Sequence, residues 1–450
     1  MRFIAFSFFV FLISYPTFSQ IVAGPMLGNM SDNEIEYWVM TQNAFRLYAG
    51  KKGEGISNQK GNYKIIEESL DPTFDQLLSS DKIYKGYKSW KISFPASDLA
   101  AGDSLIFAPI YIDFSSGNGQ VVEFNEQKIV PYEEHNYDEF LIGSCAYIGK
   151  GFSKIYRPWN VNKIYNTMAR EDADHMLWLG DNIYLILNHD LKDSASIYKR
   201  YVGVRKTKKL DNFLTCGMEH YTTWDDHDYG PNNSDGSFEG KEITTNIFQD
   251  MWCNPDAEGP EGIYYKITKG NAEIFMTDGR SFRNNDGSAM LGDMQLEWLK
   301  EGLKSSNAPF KIIVIGSQVI QKAPGHESYV DFPEERKEFF DFLEAEKISG
   351  VIFFSGDRHH TEVAKMEREG SYPLYDITCS PISSPRPKFR GWGPEGKSEN
   401  RVNDLFITRH NYGKCSITGP NDNLKLTIEF KLPNGKVKDT FIVEMKDLGY

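Results

Sequence analysis

Hydrophobic and polar positions follow two different patterns along this chain, and the change comes near residue 131. From Gly24 to about Pro131, short runs at 34–41, 43–49, 88–94, 103–111 and 120–124 alternate apolar with polar residues between turn signals. That period of two predicts an antiparallel β-sandwich of roughly a hundred residues. Further on, continuous apolar runs such as 140–145, 175–181, 273–278, 311–318 and 350–357 are separated by segments with helical spacing. Segments 156–173, 191–213, 294–303 and 333–343 read as helices, the last opened by Pro333 at a first helical position. Strands buried on both faces and separated by helices predict an α/β layer architecture. After a Pro- and Gly-rich tract ending at Gly396, β alternation returns at 405–409, 412–418, 424–430 and 439–444. These last strands are expected to extend the α/β core at one edge.

The continuous runs share a second feature, because each stops abruptly in residues that bind cations or anions. One run ends in Cys145, another in Asp181 with Tyr184 three residues on, and a third in Asp278 with Arg280 and Arg283 beyond. A fourth ends in Ser317-Gln318 and a fifth in Asp357-Arg-His-His360. The densest is Thr223-Trp-Asp-Asp-His-Asp-Tyr-Gly-Pro231, where three carboxylates surround His227. Like charges so close raise one another's pKa, and a bound cation is the simplest reason to gather them. Ligands collect at the carboxyl ends of strands in sheets of this kind, so the tips are expected to converge on one crevice. Carboxylates suit hard cations, whereas a thiolate, a phenolate and an imidazole together suit a more Lewis-acidic metal such as Fe(III). A mixed set therefore points to two or more metals sharing one carboxylate, which would activate a hydroxide for in-line attack on phosphorus.

Composition narrows the partners. The formal net charge of −13 argues against a nucleic-acid binding platform, which needs clustered Lys and Arg. Residues 1–19 carry one basic residue, a short apolar core and small residues near a cleavage point, and read as a signal peptide of a secreted, periplasmic or cell-surface protein. That apolar run is too short to span a bilayer, and no second one of its length lacks charges, so no transmembrane segment is expected after cleavage. The chain divides on this reading into the signal, a β-sandwich domain at 20–131 and a catalytic domain at 132–450. Five cysteines leave one unpaired in an exported protein. Cys145, at a strand tip, is the one expected free; the other four admit the disulfides Cys216–Cys253 and Cys379–Cys415.

With these residues in view, the chain resembles the PhoD-type alkaline phosphatase/phosphodiesterases of the calcineurin-like metallophosphoesterase superfamily. The resemblance is carried, in order, by Gly143-Ser-Cys145, Gly180-Asp-Asn-Ile-Tyr184, Trp224-Asp-Asp-His-Asp228 with Asn232 and Asn233, Asp278-Gly-Arg280 with Arg283, and Ser355-Gly-Asp-Arg-His-His360. The segment Gly24-Pro-Met-Leu-Gly28 with Tyr37-Trp-Val39 is similar to that family's β-sandwich. It implies a four-layer αββα sandwich with two mixed sheets and a hydrolase of phosphate monoesters or diesters. It further implies iron held by Cys145, Asp181, Tyr184 and His359, with Asp181 bridging to calcium. Asp226 and Asp357, with Asp225 and Asn233, would serve the calcium side; zinc, manganese or magnesium are the substitutes. His227 is implied to stabilise the transition state or protonate the leaving group, and Arg280 to contact phosphate. Two positions depart from the family's pattern: Asp228, often Glu, and Ser317-Gln318, often Asn-Gln. Competing readings are a metal-independent glycoside hydrolase using two acids among Asp181, Asp225 and Asp228, and a non-catalytic, metal-stabilised binding protein.

Overall fold

Side chains of a strand leave alternately on opposite faces, so a continuous apolar run is a strand covered on both sides. In Glu139–Gly143, Phe140 and Ile142 enter one core while Leu141 enters another. Every residue of His175–Leu179 and Glu219–Thr223 is likewise buried. These three strands pair in parallel. Antiparallel strands Tyr412–Thr418, Lys425–Lys431 and Val437–Glu444 continue them into a six-stranded sheet. A seven-stranded sheet is built round the parallel strands Ala272–Met276, Phe310–Ile315, Val351–Ser355 and Ser371–Thr378. Tyr265–Lys269 closes one edge, and Thr361–Arg368 with Arg401–Ile407 the other, all antiparallel. The computed structural model describes residues 20–31, 33–42, 44, 46–51, 56–59, 62–65, 76–78, 83–84, 86–98, 104–113, 120–122, 129–131, 138–148, 162–185, 190–321, 327–385, 398–420 and 422–450. The expected signal at 1–19, the start of the 156–173 helix and most of the Pro- and Gly-rich tract lie outside them.

The two sheets face each other across one core, with Phe140, Ile142, Leu177 and Leu179 from one meeting Ile274, Ile312, Val314 and Ile377 from the other. Helices Asn162–Met168, Ser194–Arg205, Lys208–Leu214 and Lys241–Met251 cover the outer face of the first sheet through Tyr165, Tyr201, Phe213 and Phe248. Helices Gly292–Ser305 and Pro333–Ala345 cover the second through Leu299 and Phe339. This is the four-layer αββα sandwich. The 191–213 segment holds two helices instead of one, because Thr207 is extended between them. The C-terminal strands extend the α/β core at two edges instead of one: Arg401–Ile407 lies at an edge of the second sheet, while the following three continue the first beyond Glu139–Gly143. Antiparallel strands joined by short turns add one after another to any open edge, and Glu139–Gly143 presented one.

Besides a separate two-stranded sheet, Ile56–Gln59 with Asn62–Ile65, the N-terminal strands form two larger antiparallel sheets. Ile35, Tyr37 and Phe94 of one pack on Leu47, Leu105 and Phe107 of the other. The outward side chains Met26, Trp38 and Met40 join the core beneath the first α/β sheet. There Trp38 Nε1 donates to the Asp250 carbonyl at 2.8 Å. The buried Arg205 guanidinium stacks at 4.0 Å over Trp252 and 5.1 Å over Trp38. Lys269 Nζ donates at 2.7 Å both to the Met30 carbonyl and to the buried Glu219 carboxylate.

The two proposed disulfides do not form, since all five cysteines are free. Cys253 is packed under Gly28, and the Cys379 thiol lies 3.6 Å from the Ile142 carbonyl and 3.7 Å from Asn411 Oδ1. Among the described residues no helix is long and apolar enough to cross a membrane.

Candidate metal centre

The strand tips of both sheets meet at one end of the sandwich, and the backbone there is unusual. Of the eight non-glycine residues with positive φ among those described, five lie here: Cys145 (56°), Asp181 (57°), Asn233 (60°), Asp357 (64°) and His359 (53°). The left-handed region is disfavoured for such side chains and concentrates at functional sites, where surrounding contacts enforce it. Here Cys145 N–H donates to the Gly180 carbonyl at 3.2 Å and Ala146 N–H to the Asp181 carbonyl at 2.8 Å, locking two tips together. Two glycines let the tips close. A Cβ on Gly180 (φ 94°) would stand 2.9 Å from Asp225 Cβ, and one on Gly316 would stand 2.7 Å from Asp225 Cγ.

Asp181 is at the middle of the arrangement. Its Oδ2 accepts the Tyr184 phenol at 2.9 Å and lies 3.6 Å from Cys145 Sγ, while Oδ1 accepts the His227 backbone N–H at 3.3 Å. Tyr184 Oη is also 3.2 Å from His359 Nε2 and accepts from the Ser384 hydroxyl at 2.7 Å. Ligand atoms of Cys145, Asp181 and His359 lie within 4.8 Å of one another, and so do those of Asp181, Asp226 and His227. Asp181 thus belongs to two clusters, one carrying a thiol, a phenol and an imidazole, the other a second carboxylate and the His227 imidazole.

Asp225, Asp357 and Asn233 stand outside these clusters. Asp225 Oδ1 is taken by Arg280, whose Nε is 2.7 Å and Nη2 2.5 Å away. Asp357 Oδ2 accepts Arg358 Nη1 at 3.2 Å. Asn233 is exposed; its backbone N–H donates to Asp226 Oδ2 at 2.8 Å, and its side-chain oxygen accepts from Asn232. Arg280, expected at a phosphate, is 1% exposed with its guanidinium engaged by Asp225, the Ser234 carbonyl and Glu327. A phosphate there would have to share a guanidinium that already forms a buried ion pair. Arg283 pairs with Glu327 at 2.6 Å. The adjacent histidines part company: His359 joins the thiol cluster, while His360 Nε2 lies 3.1 Å from Glu362, which also accepts Gln318 Nε2 at 2.8 Å.

The acidic run is not a simple turn. Residues Asp226–Tyr229 form a short helix, and Asp228 acts as a clamp at its start. Its Oδ1 accepts the N–H groups of Asn182 (2.9 Å) and Ile183 (2.7 Å), and its Oδ2 that of Asp225 (3.1 Å). Both oxygens are committed, which removes Asp228 from the acid pair a glycosidase would need. Glu327 and Ser384 were invisible in the sequence because each acts on a partner far along the chain, 47 residues away for Glu327 and Arg280, 200 for Ser384 and Tyr184.

Burial dominates the electrostatics. It pushes Asp181 well above the carboxylate range, aided by the charges of Asp226, Asp225, Asp228 and Asp357. It raises Asp225 to about 7 against the pull of Arg280, and Asp228 to about 8 against its backbone donors. Burial would raise Asp226 too, but His227, Arg280 and the Asn233 N–H outweigh it and hold that carboxyl low. Burial drives the Cys145 thiol and Tyr184 phenol up and His359 down to about 4, which keeps this imidazole neutral and able to ligate. Asp225 Oδ2, Asp226 Oδ1 and His227 Nδ1 are buried without a hydrogen-bond partner among the described residues. Buried acids held protonated and unpaired acceptors facing one crevice are the signature of a site completed by cations, and the donor set fits them.

Comparison with known proteins gives the family and the fold. The PhoD-like phosphatase family profile matches residues 140–416. A search of curated proteins found no match. Among solved structures, the fold is similar to that of PhoD, with TM-score 0.64 and 14% identity over 94% of this chain and 90% of that one. It is also similar to the purple acid phosphatase PPD1 from yellow lupin (Lupinus luteus) seeds, with TM-score 0.61 and 14% identity over 93% of this chain and 73% of that one.

Proposed function

This chain belongs to the PhoD-like phosphatase family and is a phosphoesterase, and from that premise we propose that it is a secreted, metal-dependent hydrolase of phosphate monoesters or diesters. The observation that carries this reading is the sharing of Asp181 between two ligand clusters of different chemistry. Cys145, Tyr184 and His359 with Asp181 Oδ2 make a set suited to Fe(III). Asp181 and Asp226, with Asp225 and Asp357 nearby and the His227 ring at the edge of the cluster, offer carboxylate oxygens suited to calcium. Bound there, the cations supply Lewis acidity that polarises the phosphoryl group and lowers the pKa of water.

The protein's own groups do the rest. His227, with its ring 4.5 Å from that of Tyr184 and Nδ1 unpartnered, holds a proton for the leaving-group oxygen. Arg280 is a positioning residue, fixing Asp225 so that Oδ2 remains directed away from the ion pair. Asn233 acts through its backbone, on Asp226. Burial of Asp181, Asp225, Asp226 and Arg280 strengthens the electrostatic contacts among them.

The test is hydrolysis of bis(p-nitrophenyl) phosphate and p-nitrophenyl phosphate before and after chelation, with elemental analysis. Loss on chelation and recovery with iron plus calcium is expected; hydrolysis by fully demetallated protein overturns the proposal.

A further inference from the structure

Two guanidinium groups beside the metal centre share a single carboxylate. Arg280 Nη1 is 3.0 Å from Glu327 Oε2, and Arg283 Nη2 is 2.6 Å from Glu327 Oε1. One anion spread across two arginines is the arrangement that recognises a phosphate group. The two cations are unequally satisfied. Arg280 also holds Asp225 and the Ser234 carbonyl. Arg283 is 2% exposed, and its Nε and Nη1 have no acceptor among the described residues. Its guanidinium lies 4.9 Å over the Phe332 ring, which supplies no acceptor in the ring plane. The Ser234 hydroxyl nearby is buried and equally without a partner.

Three donors are therefore left over where one flat carboxylate sits. A tetrahedral phosphate, with more oxygens and more charge, uses them better. Glu327 is also the member of the trio able to leave: its side chain is 16% exposed, against 1% for Arg280 and 2% for Arg283.

We propose that Arg280, Arg283 and Ser234 form a phosphate-binding subsite adjoining the metal centre, occupied by the Glu327 carboxylate until a phosphate group displaces it. The inference rests on the phosphoesterase reading. Its ligand is a phosphate group that is not itself cleaved, carried elsewhere on the substrate or free in solution. Asp225, Asp226 and Asp235 also face Arg283, so with Glu327 the two arginines meet four carboxylates, and displacing Glu327 removes one of the four.

A matched substrate pair tests the first source: thymidine 5′-(p-nitrophenyl phosphate) and the same compound with a 3′-phosphate. Inhibition of bis(p-nitrophenyl) phosphate hydrolysis by inorganic phosphate tests the second. In the metal-loaded Glu327→Gln protein, either the kcat/KM ratio favouring the 3′-phosphorylated substrate or the affinity for inorganic phosphate rises about tenfold over wild type. The gain disappears when Arg283→Met is added. Glu327→Asp, too short to span both arginines, shows a smaller gain of the same kind and serves if Glu327→Gln does not fold. Equal changes for both substrates with unaltered phosphate inhibition, a gain indifferent to Arg283, or failure of both variants to fold makes Glu327 a structural clamp and overturns the proposal. Absence of hydrolysis by the wild type would instead strike the phosphoesterase reading.

Discussion

Asp181 gives its two oxygens to different neighbours, the Tyr184 phenol on one side and the His227 backbone on the other. No substitution preserves that: Asn would turn an N–H₂ group toward one cluster. Asp181→Asn is expected to lower kcat by a factor of about a thousand or more, with both metals reduced in elemental analysis rather than one. The raised carboxyls make a second prediction. In metal-free protein, Asp181, Asp225 (about 7) and Asp228 (about 8) keep protons that an unfolded chain releases near about pH 4. The native state then binds more protons than the unfolded one across that window, so its stability falls as pH rises from 4 to 8. Thermal melts of chelated protein should show the decline, and added metal should restore stability most at the alkaline end, where it no longer competes with protons. At this scale the sequence made legible which side chains gather, because acids, a thiol and an imidazole at strand ends need a reason, and the tips do bring Cys145, Asp181, Tyr184, Asp226, His227 and His359 together. It did not reveal that Arg280 is paired with Asp225 and Glu327, since an ion pair across 47 residues leaves no local pattern.

Among the elements, the short Asp226–Tyr229 helix matters most, because it turns the acidic run so that Asp226 and His227 both reach the Asp181 side. Asp228 fixes it by accepting three backbone N–H groups from two tips. Asp228→Asn leaves at least one of those donors facing an amide N–H₂. The expected cost is about 1–3 kcal/mol of stability, read from denaturant unfolding, with a fall in hydrolysis that extra metal does not rescue. The parallel strands were legible because burial on both faces writes a continuous apolar run. The placement of the last three strands was not, since alternation shows one covered face without saying which sheet edge a strand joins. Likewise two helices were read as one where extended Thr207 interrupts an otherwise helical spacing.

For the molecule as a whole, the N-terminal sheets are part of the structure supporting the centre. Trp38, Arg205 and Trp252 interleave beneath the first α/β sheet, and Lys269 ties Met30 to Glu219 at the start of the strand that leads to the Asp225 tip. Trp38→Ala should therefore cost about 3–5 kcal/mol, seen as a lower Tm of the whole chain in one transition, while hydrolysis per folded molecule is retained. Two transitions would mean that the two parts unfold separately. The central claim, that Asp181 joins two unlike cation sites, is tested most directly by anomalous diffraction across the iron edge from crystals of the purified protein. The account predicts a peak on each side of Asp181, the one beside Cys145, Tyr184 and His359 scattering as iron. Metal peaks that leave Asp181 uncontacted, or no metal in hydrolytically active crystals, would contradict it.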